Sequence, residues 1–172
     1  MGRTVRPAAP GDAKAIAEIH VRSWQVAYRG VMPEVFLDSL SVDQREGAWR
    51  QRLAGSPPGT AVFEEHGQVL GWISVGPSRD PDAPSSTSEL LAIYVDPTHW
   101  RRGVGQQLWT DTEEQLRRSG VLEVTLWVLK DNARAVAFYR SNGFVVEAGV
   151  EKKIELGGNE LVEVRLRKEL GG

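Results

Sequence analysis

The chain contains no cysteine. Disulfides, thiolate metal sites and a covalent intermediate on a cysteine sulfur are therefore excluded. Histidine is scarce as well. His20, His66 and His99 are the only three in 172 residues, and they are too scattered to suggest a metal site. An excess of one charge sign is also missing: 21 Lys and Arg stand against 23 Asp and Glu, a net charge of −2. Non-specific nucleic-acid binding wants a basic face, so no nucleic-acid partner is expected. No stretch approaches ~20 uninterrupted apolar residues, and no membrane span or membrane partner is expected. The opening Met1-Gly2-Arg3-Thr4-Val5-Arg6 has no apolar run of signal-peptide length, and Arg6 stands where a myristoylation pattern needs Ser or Thr. What is present, 41% apolar and 26% charged residues, is ordinary for a globular chain. The expectation is one cytoplasmic domain, residues 1–172, with its own core.

Local patterns divide the chain. Thr4 to Ala8 reads as a strand, and Asp12 as the cap of a helix running to about Tyr28. Ile16, His20, Trp24 and Tyr28 fall four apart on one face of that helix. Shorter helices are expected from Pro33 to Leu40 and from Val42 to Leu53, the latter with Trp49 inward. Ser56 to Gly59 reads as a loop. Strands from Thr60 to Glu65 and from Gln68 to Val75 are joined across His66-Gly67 as a hairpin. Pro77 to Thr87 has the composition of a mobile surface loop. Then follow a strand (Ser88 to Val95), a helix (Gly103 to Ser119), an apolar strand (Leu122 to Leu129) and a helix (Asn132 to Ser141). Two closing strands, Phe144 to Leu156 and Leu161 to Lys168, meet across Gly157-Gly158-Asn159. In the last, Val162, Val164 and Leu166 alternate with Glu163, Arg165 and Arg167, which predicts one wet face. The order predicts an α/β (mixed α+β) protein with a mixed sheet and helices on both faces.

The segment Val95-Asp96-Pro97-Thr98-His99-Trp100-Arg101-Arg102-Gly103-Val104-Gly105-Gln106 carries the strongest chemical signal. A strand runs into a tight turn, two arginines, a Gly-x-Gly and the start of a helix. Glycines let backbone approach a ligand and aim N–H groups at it, and a helix N-terminus adds partial positive charge. Phosphate suits such a place. The Walker pattern fails because no Lys-Ser/Thr follows Gly105, and the dinucleotide fingerprint fails because Leu108 replaces its third glycine. On spacing alone, an anion site and a plain tight turn with solvated arginines remain equal readings.

That block, followed by Asn132-Ala133-Arg134-Ala135-Val136-Ala137-Phe138-Tyr139 and Asn142-Gly143-Phe144, resembles the GNAT superfamily of N-acetyltransferases. The two blocks span roughly Glu89 to Val146. The segment from Ser23 to Pro33 and a helix holding Trp49 resemble a bacterial subgroup of it. The resemblance implies a central mixed, mostly antiparallel sheet of about seven strands. It implies acetyl-CoA as co-substrate, with its pyrophosphate on the amides from Arg101 through Arg102, Gly103, Val104 and Gly105 to Gln106. The pantetheine arm would add to Ile93, Tyr94 and Val95 like an extra strand, a main-chain device also used in peptide recognition. Asn132 and Ala135 would meet the pantetheine region, and the Tyr139 hydroxyl would lie near the sulfur. Three residues before Gly103 the family usually has Gln or Arg, whereas this chain has Trp100.

Forming an amide from an amine and a thioester requires an amine proton to leave, an oxyanion to be stabilised and a thiolate to be protonated. Without cysteine, direct transfer to a primary amine in a ternary complex is expected. Tyr139 is the candidate acid, sharing a helix face with Asn132 seven residues earlier; on the residues alone a core aromatic reads as well. Glu89 is the candidate base, four residues before Ile93 and so on the same side of the strand, unless it is a solvated strand-end carboxylate. Trp24 and Tyr28 are expected to line the acceptor pocket, or else to form a core stripe. The Arg79 to Thr87 loop could close over substrate, and Asp80 and Asp82 would suit a cationic acceptor. The acceptor itself, a small molecule or a peptide, is left open, and an apolar edge on the closing strands would suit a homodimer. An acyl-CoA-binding sensor without turnover is the rival reading. A nucleotide switch lacks the lysine and the metal-holding serine it would need.

Overall fold

The computed structural model describes residues 2–55 and 59–171, so Ser56-Pro57-Pro58 of the expected loop lies outside the described residues. Seven strands form the sheet: β1 (Arg3–Pro7), β2 (Gly59–Glu65), β3 (Gln68–Pro77), β4 (Thr87–Val95), β5 (Glu123–Leu129), β6 (Val145–Leu156) and β7 (Asn159–Glu169). Five helices accompany them: α1 (Ala13–Ala27), α2 (Glu34–Asp38), α3 (Val42–Ala54), α4 (Val104–Arg118) and α5 (Ala133–Ser141). The sheet order is β1-β2-β3-β4-β5-β7-β6. The β1/β2, β2/β3, β5/β7 and β6/β7 pairs are antiparallel and β4/β5 is parallel. Both hairpins turn where the sequence places them. His66 and Gly67 have φ of 53° and 81°, and Gly157 and Gly158 have 60° and 80°, the paired positive values of a type I′ turn. Leu156 pairs directly with Asn159, so the second turn is Gly157-Gly158 and Asn159 already belongs to β7.

The chain packs as two compact units, Met1–Val75 with Ala92–Thr112, and Gly76–Leu91 with Glu113–Gly172. In the first, α1 buries Ala13, Ile16, Ala17 and Ile19 with Trp49 and Leu53 of α3 over Val62 and Trp72. Burying each large apolar side chain contributes about 1.5–3 kcal/mol. Alternation along β3 turns Gly71 to the opposite side from Trp72. There a Cβ on Gly71 would stand 3.0 Å from Val104 Cγ1, 3.1 Å from Leu108 Cδ1 and 3.0 Å from the Tyr94 carbonyl oxygen. The missing side chain lets the first turns of α4 lie against the strand. Helices thus cover both faces of the sheet in this unit.

The start of α1 departs from expectation. Asp12 occupies the N-cap position but makes no side-chain cap bond. Its carboxylate accepts instead from the Ala9 amide at 2.8 Å and from both Arg6 Nη atoms at 2.8 and 2.9 Å. A buried charge takes the strongest donor within reach, and a bidentate guanidinium outcompetes a helix amide.

The second unit is built on the β6–β7 hairpin. Its register shifts between Val146 and Glu151, freeing Glu147 from the ladder. Glu147 accepts from Arg165 Nε at 2.5 Å, while Arg165 also donates to Asp82 Oδ1 at 2.9 Å and lies 3.3 Å from Asp80. Asp80 accepts in addition from Trp127 Nε1 at 2.9 Å. Two expectations are corrected here. The face of β7 carrying Arg165 is not simply wet, because that side chain is only 12% exposed. The loop from 78 to 86 is tied down through Asp80 and Asp82, whose charges answer Arg165. Among the described residues no helix is long and apolar enough to cross a membrane.

Replacing Gly71 with Ala should press α4 off β3 and lower stability by about 1–3 kcal/mol, the usual range for overpacking. Urea denaturation reads this directly, and an unchanged midpoint would show that α4 does not depend on the close approach.

Candidate active site

The bend after β4 is held by its own hydrogen bonds. Asp96 is buried and accepts from the Thr98 amide at 3.0 Å and the Thr98 hydroxyl at 2.6 Å, with Arg22 Nη2 3.1 Å away. Burial pushes this carboxyl up, but the Thr98 bonds and Arg22 outweigh it and hold it below the ordinary aspartate range. Trp100 Nε1 donates to the Val95 carbonyl at 2.8 Å, and Ser23 Oγ donates to the same oxygen at 3.0 Å. Trp100 therefore pins the bend to the end of β4, which gives a local reason for a tryptophan where the family usually has Gln or Arg. The Val95 carbonyl accepts twice within the protein, so an added pantetheine strand would use main-chain groups of β4 other than this one.

Beyond Trp100 the backbone turns left-handed at Arg101 (φ 62°) and Gly103 (φ 82°). For Arg101 this conformation costs roughly 1–2 kcal/mol, which the surrounding bonds must offset. The first helical bond of α4 runs from the Gln107 amide to the Gly103 carbonyl at 2.9 Å. The amides of Gly103, Val104 and Gly105 stand ahead of it, where a helix start gathers positive potential. Val104 is buried as the anchor, whereas Arg101, Arg102 and Gly103 are exposed. No acidic residue lies between Pro97 and Thr110. Such a bend fits a diphosphate, with donors in the main chain and two exposed cations beside it.

The expected acceptor residues belong to the same unit. Trp24 Nε1 donates to the Tyr94 hydroxyl at 2.8 Å, and the rings of Trp24 and Tyr28 meet edge to face at 5.2 Å. His20 stacks on Tyr94 at 4.8 Å and lies 5.7 Å from both Trp24 and Trp72. Burial, then the nearby Arg45 charge, push its imidazole down to about 3, so His20 is neutral at physiological pH. Arg45 Nη1 approaches His20 Nε2 at 3.4 Å, and its guanidinium carbon lies 5.7 Å from the centre of the Trp24 ring. The sequence reading missed Arg45. Its spacing of four from Trp49 on one helix was the only local signal.

In the other unit the parallel ladder between β4 and β5 runs from Thr87↔Glu123 to Glu89↔Thr125, where its register ends. Glu89 is 1% exposed, not a solvated strand end. Its carboxylate accepts from the Arg79 amide at 3.0 Å, Arg79 Nε at 3.1 Å and Arg79 Nη2 at 2.5 Å. Burial pushes the Glu89 carboxyl up, but the Arg79 bonds and charge prevail and hold it below the usual glutamate range. The structure thus gives the candidate base a guanidinium partner from the adjoining loop. On α5, Asn132 is the N-cap and accepts from the Ala135 amide at 3.1 Å, so both residues have a structural job at the helix start. Tyr139 is half-buried, its ring set edge-on against Phe138 at 5.5 Å and Phe144 at 5.8 Å.

A seven-stranded mixed sheet whose one parallel ladder is short, followed by a glycine bend opening a helix, defines the class of the acetyltransferases. The acetyltransferase (GNAT) family model matches residues 14–144, and the chain belongs to this family. It is similar to the N-acetyltransferase YuaI of Bacillus subtilis, itself uncharacterized, with 34% identity over 95% of this chain and 91% of that protein. It is also similar to the L-amino acid N-acyltransferase MnaT of Escherichia coli, with 31% identity over 84% of this chain and 81% of the relative. Among solved structures, the yncA protein of Salmonella typhimurium with its cofactor acetyl-CoA superposes with a TM-score of 0.75 at 25% identity, covering 100% of this chain and 96% of that one.

The Arg79–Glu89 pair yields a stability prediction. A carboxyl held low in the fold stabilises above its unfolded pKa, and that contribution disappears as pH falls through the folded value. Arg79→Gln should leave a buried carboxylate short of donors and cost roughly 1–3 kcal/mol at pH 7. The deficit should shrink in acid, once Glu89 is protonated in both proteins. Denaturation midpoints across that pH range check it, and a pH-independent difference would contradict the pairing.

Proposed function

We propose that the protein transfers the acetyl group of acetyl-CoA to a primary amine on a small molecule or peptide, directly within a ternary complex. The observation that carries this reading is the bend from Arg101 to Gly105, with main-chain donors ahead of the first α4 bond and left-handed backbone at Arg101 and Gly103. Family membership and the acetyl-CoA-bound relative support the same donor. In this reading the amides from Arg101 to Gln106 receive the diphosphate, Arg102 adds charge, and the edge at Ile93 and Tyr94 receives the pantetheine arm. Asn132 and Ala135, besides capping α5, border that arm. Trp24 and Tyr28 line the acceptor side.

The chemistry forms a bond from the amine nitrogen to the acetyl carbon and breaks the bond from that carbon to sulfur. Tyr139 gives the departing thiolate its proton. Glu89 takes a proton from the amine. For that work its Arg79 partner must swing aside, because a buried carboxylate becomes a stronger base when a guanidinium leaves it. The same pairing is the one observation that favours a sensor without turnover, since a carboxylate kept on Arg79 accepts no proton.

The deciding experiment is thiol release from acetyl-CoA with a panel of primary amines. Amine-dependent release, with no free CoA in the absence of acceptor, is the expected result. CoA uptake without release from any amine would support the sensor. Tyr139→Phe should lower turnover by about 10²-fold or more, the scale of a lost general acid. Its CoA affinity, read by calorimetry, should stay near the native value, and unchanged turnover would return Tyr139 to packing.

A further inference from the structure

Arg45 is half-buried, yet it forms no ion pair among the described residues. Nearly every other half-buried or paired cation has one: Arg6 has Asp12 and Glu64, Arg22 has Asp96, Arg79 has Glu89 and Arg165 has Asp80, Asp82 and Glu147. Arg29, Arg52, Arg101 and Arg102 lack ion pairs among the described residues, but they are exposed and water serves them. Arg45 is half-buried, and no carboxylate pairs with it among the described residues. Leaving a partly dehydrated guanidinium without an anion is unfavourable, so an anion that reaches Arg45 gains by pairing with it.

The surroundings say which kind of anion. An arginine can only donate, so the contact from Nη1 uses the lone pair of His20 Nε2 and places the imidazole proton on Nδ1. That Nδ1 is buried without a hydrogen-bond partner. His20 is neutral and contributes no charge to offset or join that of Arg45. The Trp24 indole N–H is spent on the Tyr94 hydroxyl, so the Trp24 ring offers the guanidinium an apolar face, its centre 5.7 Å away. A planar fork beside aromatic faces matches a carboxylate attached to an apolar body.

We propose that Arg45 binds the carboxylate of the acceptor, and that the acceptor is an α-amino acid with an apolar side chain rather than a simple amine or a polyamine. The proposal rests on the reading above that Trp24 and Tyr28 line the acceptor side. Arg45 is then the residue that sets acceptor specificity, and Trp24 supplies the surface against which the side chain packs.

Three ligands separate the chemistry: L-phenylalanine, its amide, and phenethylamine, which keeps the ring and the amine but lacks the carboxylate. With saturating acetyl-CoA, the amino acid should exceed phenethylamine by about 10²-fold in kcat/KM, the scale of one truncated, desolvated charge pair. Arg45→Gln should erase most of that ratio through KM, leave CoA affinity near native, and be partly rescued by Arg45→Lys. Equal or better use of phenethylamine by the native protein would overturn the proposal. So would an Arg45→Gln variant that keeps the ratio, or one that loses CoA affinity instead. Calorimetric binding of L-phenylalanine alone needs no turnover. Uptake by the native protein that disappears in Arg45→Gln supports the site even if no amine is ever acetylated, and no uptake by the native protein overturns it.

Discussion

The constraint on which the candidate site depends is the close approach of α4 to β3 at Gly71. A methyl group there would meet Val104, Leu108 and the Tyr94 carbonyl at about 3 Å. Because it is absent, the first turn of α4 sits against the sheet with Val104 buried, and the chain must bend sharply between Val95 and that turn. The bend is then closed by short-range bonds from Trp100 Nε1 and Thr98, and by left-handed backbone at Arg101 and Gly103. An amide cluster that is fixed before a ligand arrives loses little entropy when one binds. In the proposed reading, packing in the core thereby becomes binding competence at the surface.

Charge placement is the second organising feature. The fold answers nearly every buried ionic group from within. Arg165 serves three carboxylates on one side of the β6–β7 hairpin, and Arg79 serves Glu89 with its side chain and its amide. These pairs restrain the loop from 78 to 86 and keep Glu89 ionised. Among the cations left without an ion pair in the described residues are the exposed guanidinium groups beside the glycine bend and half-buried Arg45 beside the ring of Trp24. In the proposed reading these cations are left for the ligands.

Much of this was legible in the sequence because the causes are local. Type I′ turns need residues that tolerate positive φ, and His66-Gly67 and Gly157-Gly158 advertise them. The helix-to-strand alternation gave the element boundaries to within a few residues, and the spacing from Val95 to Gln106 gave the bend. What escaped has partners far along the chain. Asp80 and Asp82 read as acids that would suit a cationic acceptor because Arg165, the cation that holds them, lies more than 80 residues away. For Glu89, the candidate base, the alternative of a solvated strand end stayed open because the guanidinium that holds it comes from a loop that composition alone calls mobile. Asp12 read as a helix cap because nothing nearby revealed Arg6 as the better donor. Arg45 was not singled out because the lack of a carboxylate beside it can be judged only once the neighbours are known.

The most direct test of the central claim is a titration of 15N-labelled protein with CoA, following the Gly103 and Gly105 amides by NMR. The account predicts that both amide protons move downfield as the diphosphate accepts their hydrogen bonds, and that pantetheine, which lacks the diphosphate, leaves them in place. Folded protein in which CoA fails to shift either glycine, or in which pantetheine shifts them equally, would contradict it.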